Sequence, residues 1–87
     1  MEFIGYTYDK PSRTINGRWD TVELQYPDDK LFNEASGKII KGMKEGEDRF
    51  IMANEENERY FIDVFDVRYN VLNSTIKIWP HNCKKVK

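Results

Sequence analysis

Residues 27–46 read Pro-Asp-Asp-Lys-Leu-Phe-Asn-Glu-Ala-Ser-Gly-Lys-Ile-Ile-Lys-Gly-Met-Lys-Glu-Gly, and whether they coil into a helix decides the fold. Pro27 ends whatever precedes it, and Asp28 or Asp29 can cap a helix by accepting from a first-turn N–H. At about 100° per residue, Leu31, Phe32, Ala35, Ile39, Ile40 and Met43 share one half of the helical wheel, and the polar residues fill the other. Lys41 and Lys44 lie where the helix dipole favours cations, and Gly46 sits where a left-handed residue ends a helix. Gly37 and Gly42 oppose this reading, since each costs ~1 kcal/mol relative to Ala inside a helix. The competing reading is a strand at 38–43. The continuous apolar stripe favours a helix over 30–45.

On the N-terminal side the pattern is β. Residues 2–8 alternate, which predicts Ile4, Tyr6 and Tyr8 on one face and Phe3, Gly5 and Thr7 on the other. Asn16-Gly17 is a strong hairpin signal, because a type I′ turn needs positive φ at both central residues. Residues 2–26 therefore read as one long antiparallel ribbon with its tip at Asn16-Gly17 and a bulge near Pro11. The returning strand is expected at 18–26 with Trp19, Val22, Leu24 and Tyr26 as its apolar members.

On the C-terminal side, 49–53 reads as a short strand, 54–57 as a hairpin loop and 60–69 as the longest strand. Tyr60, Ile62 and Val64 fall on one face of that strand, and Phe61, Phe65 and Val67 on the other. Apolar groups on both faces predict a central, doubly covered strand or one exposed binding face. A turn at 70–74 leads to a last strand at 75–79, which Pro80 is expected to stop. Residues 81–87 read as a basic tail beyond a single domain at 1–80. The prediction is thus a small α+β domain of ββαβββ order, one helix on a mainly antiparallel sheet. That element order resembles β-grasp domains, with no sequence motif behind the likeness.

The chain has 87 residues, of which 39% are hydrophobic and 14% aromatic, with 15 acids against 14 Lys and Arg. It is too apolar and aromatic for obligate disorder, and no apolar run approaches the ~20 residues that span a bilayer. One cysteine forbids an internal disulfide framework. With no leader-like N-terminus the expected compartment is the cytoplasm, which suits a free thiol. Ile and Lys usage points to a low-GC bacterium or a virus of one. The near-neutral total hides a polarity: residues 45–66 hold eight acids and two bases, whereas residues 67–87 hold five bases and no acid. Antiparallel pairing could set one block against the other.

The chemistry-bearing residues are few. His81 and Cys83 are alone of their types and two apart, a poor nucleophile–base pair and half of a zinc site. Asp63 and Asp66 face opposite ways on a regular strand and cannot act together without a bulge. The glycines match no phosphate-binding spacing. No cofactor, metal or catalytic residue is expected. The leading expectation is a small non-enzymatic protein-binding module, an inhibitor or adaptor. It would dock through an aromatic sheet face or edge and an acidic hairpin, using Tyr6, Tyr8, Trp19, Glu55, Glu56, Glu58, Tyr60 and Trp79, since Tyr and Trp dominate interface hot spots. A homodimer through the same surface is a variant of that expectation. The alternative is nucleic-acid binding by Lys77, Trp79, Lys84, Lys85 and Lys87, with rings stacking bases and lysines following phosphates.

Overall fold

Asp28 turns an extended chain into a helix. Its carboxylate accepts from the Leu31 N–H at 2.9 Å, and helix α1 runs over Asp29–Lys44. In this computed structural model, which describes residues 2–8 and 10–87, α1 ends in a Schellman motif. Glu47 N–H donates to the Gly42 carbonyl at 2.8 Å and Gly46 N–H to that of Met43 at 3.2 Å, with Gly46 at φ +84°. Phe32, Ala35 and Ile39 are buried, while Leu31 and Ile40 flank the stripe in solvent. The strand alternative at 38–43 is thereby excluded.

Five strands accompany the helix: β1 (Phe3–Thr7), β2 (Val22–Gln25), β3 (Arg49–Ala53), β4 (Arg59–Asn70) and β5 (Thr75–Lys85). The fold is α+β, but the sheet closes into a barrel in the order β1-β2-β5-β4-β3 rather than lying open under the helix. Four of the contacts are antiparallel, and the parallel pairing of β1 with β3 seals the barrel. The interior is filled from every strand and from α1, with Leu24, Ile39, Phe50, Met52, Ile62, Ile76 and Ile78 the largest fully buried side chains. Burial of each contributes ~1.5–3 kcal/mol.

Several local expectations change. A bulge in β1 between Phe3 and Gly5 puts Ile4 and Thr7 inside and leaves Tyr6 and Tyr8 outside, so the three even-numbered residues do not share a face. Gly5, at φ +144°, lets the Tyr26 ring press against β1, and the Tyr26 hydroxyl donates to the Ile4 carbonyl at 2.7 Å. Among the described residues, the ribbon at 2–26 is paired on the barrel through Tyr6–Thr7 and Leu24–Gln25, with no ladder around Pro11. Between them the chain makes an arm with its own tip, where Arg13 bridges Trp19. Asn16 does not take positive φ, so the turn is not type I′. It lies one residue earlier, closed by Gly17 N–H to the Thr14 carbonyl at 2.9 Å, with only Gly17 left-handed.

The largest correction concerns β4 and β5. Pro80 does not stop the strand, which continues through the expected tail to Lys85. Asp63 pairs with Asn82, Val64 with Pro80 and Asp66 with Trp79, so His81 and Phe65 are one extra residue on each strand. Val64 gives its N–H to the Asp48 carbonyl on the β3 side at 2.9 Å. Its ladder groups therefore face away from β5, and Pro80 can sit opposite it without supplying a donor. The bulge also switches the inward parity of β4 from Tyr60, Ile62 and Val64 to Val67 and Tyr69. The apparent two-faced apolar strand is one inward face interrupted by an extruded Phe65.

Candidate functional site

The opposed bulges build a groove on the outer surface of the barrel. Phe65 and His81 are pushed outward together, their rings 4.7 Å apart and edge-on. Trp79 stands beside them on β5, and the arm brings Trp19 from the other side, where its indole N–H donates to Asn82 Oδ1 at 3.2 Å. These rings line an open groove of about 610 Å³ whose rim carries Arg13 and Arg18.

Cations crowd the rings. The Arg13 guanidinium lies 4.6 Å from the centre of Trp19 and is steadied by a 2.8 Å bond to the Gly17 carbonyl. Arg68 and Lys77 both lie over Trp79, at 5.7 and 5.3 Å. They also face each other directly across β4 and β5, an arrangement of like charges that costs stability in a sheet. Glu23 flanks Lys77 on β2. Arg68 and Lys77 continue into a second cleft of about 660 Å³ that runs toward the hairpin turn, with Leu72 and Val71 exposed at its end. Besides Glu23, the acids on this side include Asp66, whose carboxylate accepts from its neighbour Val67 N–H, and Asp20, which accepts from Thr21 N–H.

The residues expected to form one contact surface therefore separate. Trp19 and Trp79 belong to the basic groove. Tyr6 and Tyr8 lie half to two-thirds exposed around a small hollow of about 110 Å³ that Glu55 also lines. Tyr60 belongs to neither, since its ring is buried in the core. The acidic hairpin is partly neutralised within the molecule. Glu58 accepts from Lys85 at 2.7 Å and from the Asn54 amide at 2.9 Å, and Lys10 approaches it at 3.3 Å. Those bonds, with Lys85 the strongest, hold its carboxyl down at about 2. Glu56 lies 3.9 Å from the same Lys10. Of the C-terminal lysines, Lys77 lies over Trp79 and lines the second cleft, Lys85 is engaged by Glu58, and Lys84 and Lys87 are exposed elsewhere on the last segment. The acidic block meets the basic one at the Glu58–Lys85 end of the hairpin.

His81 and Cys83 do not meet. The His81 side chain is outside against Phe65, whereas Cys83 points into the barrel, where burial pushes its thiol up to about 12. The bulge places both Asp63 and Asp66 on the outer surface, yet Asp63 is taken by a two-pronged bond from Arg49 at 2.6 and 3.0 Å. Arg49 keeps that carboxyl below its usual range. Among the described residues no group of three or more His, Cys, Asp and Glu side chains converges as a metal site would require, and no helix is long and apolar enough to cross a membrane.

Sequence reasoning missed Arg13, Arg18, Arg68 and His81 as residues of this site, and left the face of Phe65 open between burial and exposure. The signal for Phe65 was present, since an apolar residue out of phase on a strand marks a bulge as readily as a second buried face. No known protein family, curated protein or solved structure matches this chain.

Proposed function

We propose that this protein is a small non-enzymatic binding module, an adaptor or inhibitor, that docks on a larger partner through the groove between the arm and the β4–β5 hairpin. One observation carries the reading: four rings from three separate stretches of chain converge on one open groove, with Trp19 at its inner side packing against the core. Trp and Arg are the residues that most often anchor interfaces, and both lie here. The placement of His81 outside and Cys83 inside the barrel keeps these two from acting as a nucleophile–base pair, which supports the binding reading.

A protein partner docking on Tyr6, Tyr8 and Glu55 is the second reading, favoured by the exposure of both tyrosines beside the acid. Affinity capture from the source cell, comparing the wild type with Phe65→Ala/Trp79→Ala and with Tyr6→Ala/Tyr8→Ala, separates the two. A partner lost only with the first pair supports the groove. Loss only with the second pair transfers the contact to the tyrosine face, and capture that neither pair disturbs refutes both.

A further inference from the structure

We propose that the groove is a site for single-stranded nucleic acid, with unpaired bases stacking on Trp19, Trp79 and Phe65 and phosphates met by Arg13, Arg18, Arg68 and Lys77. The inference rests on the reading that this groove is the contact surface, and it names what fills it.

The groove calls for a ligand complementary to it twice over, to its rings and to its cations. An acidic peptide would satisfy the cations and leave the ring faces unused, while an apolar peptide would satisfy the rings and bury the cations. A nucleotide offers a flat π-face and an anion a fixed distance apart, and here Arg13 lies over Trp19 in the groove while Arg68 and Lys77 lie over Trp79 where the groove meets the second cleft. The Arg68–Lys77 pair is the clearest mark. Two cations face each other across adjacent strands, and an anion laid between them turns that repulsion into attraction. Both already lean on Trp79, so a base that takes the ring releases them toward its phosphate. A duplex does not fit this chemistry, because its bases are stacked on one another and closed to the rings.

The overall charge of the chain is no obstacle. The acids that offset these cations include Glu55, Glu56 and Glu58, which lie beyond the far end of β4, whereas Trp79 faces Asp66. At ~3.3 Å per residue the strand separates the two by about 20 Å, two Debye lengths at physiological salt. Phosphates at the groove therefore experience mainly the nearby cations, with Asp66, Asp20, Glu23 and the Arg49-bound Asp63 as the local acids.

The test is fluorescence anisotropy on the full chain, with labelled single-stranded DNA and RNA probes of about twelve nucleotides and the matching duplex. Four engaged cations give a salt slope near −3, at ~0.7 per phosphate on a single strand, so binding should weaken about 50-fold between roughly 50 and 200 mM salt. Removing one stacked ring by Trp79→Ala should cost about 5- to 150-fold. Phe65→Ala repeats that test at a side chain exposed enough to leave the fold intact. Lys77→Gln should lower the slope by about 0.7. Absence of binding to either single strand at the lower salt overturns the proposal, as does equal binding to duplex or unchanged affinity in both ring variants. If the probes fail while Phe65→Ala/Trp79→Ala still loses a captured partner, the ligand class is wrong and the docking face stands.

Discussion

Gly37 and Gly42 are indistinguishable as helix-interior glycines, yet their surroundings set opposite outcomes for the same substitution. A methyl group at Gly37 meets nothing within 4 Å. Gly37→Ala should therefore keep the whole gain in helix propensity, ~1 kcal/mol, and raise Tm by about 4–8 °C in a domain of this size. A methyl at Gly42 would lie 2.8 Å from Cζ and 3.0 Å from Cε1 of Phe50, and 3.3 Å from the Glu47 carbonyl oxygen. Phe50 is 1% exposed, so its ring has no free space to enter. Overpacking of that kind costs ~1–3 kcal/mol, which offsets the same propensity gain and leaves Gly42→Ala neutral to ~2 kcal/mol less stable. The two variants should thus differ by about 1–3 kcal/mol in urea unfolding followed by circular dichroism, with a common m-value. If Gly42→Ala proves as stable as Gly37→Ala, α1 does not pack on β3 as closely as described, and the account of the core is wrong at that contact.

Three further outcomes are expected. The Glu58 carboxyl lies at about 2 in the folded chain against an ordinary 4.5, so between those values the unfolded state binds the extra proton. Its contribution to stability is then complete above the window and lost as pH falls through it; an NMR titration should show a low midpoint that rises in Lys85→Gln, and an ordinary midpoint in the wild type would contradict the bonding. Asn54, buried at the start of the β3–β4 turn, accepts from the N–H groups of Glu56 and Glu58, so Asn54→Ala should cost ~1–3 kcal/mol, and an unchanged urea midpoint would remove it as the organiser of that turn. Cys83 should react with a thiol reagent at mildly alkaline pH only as the chain opens, because its thiol is buried and held up to about 12; rapid labelling of the native protein would place it outside the barrel.

The elements legible in the sequence were those governed by local rules. The helix followed from its stripe and its Asp28 cap, and its end from Gly46, because capping and periodicity act within a few residues. The strands at 49–53 and in the region of 60–69 followed from alternation and turn residues for the same reason. What escaped were features that depend on partners distant in the chain. Pro80 looks like a terminator by itself and is tolerated only because Val64 spends its N–H on Asp48. The switch of parity at Phe65 requires the compensating extra residue His81 on the facing strand. The groove inherited that difficulty. Its tryptophans were singled out by residue type, but Arg13 and Arg68 reach them only through the bridge at Trp19 and the β4–β5 register.

The seams of the barrel also set an order of assembly. β4 and β5 are joined by a turn at 71–74 and pair along most of their length, so loop closure costs them little. The sealing contact joins β1 to β3 across more than forty intervening residues, and among the described residues β1 holds β2 through two pairs. Local pairing costs less loop-closure entropy than distant pairing, which favours its forming first. Phe65, Trp79 and His81 thus ride on the piece that folds first, whereas Trp19 arrives on an arm anchored to the piece that closes last. A chain caught short of closure would carry half of the groove. Ligand that needs both sides would then select the closed barrel and raise its apparent stability by mass action, making occupancy and completion of folding a single event.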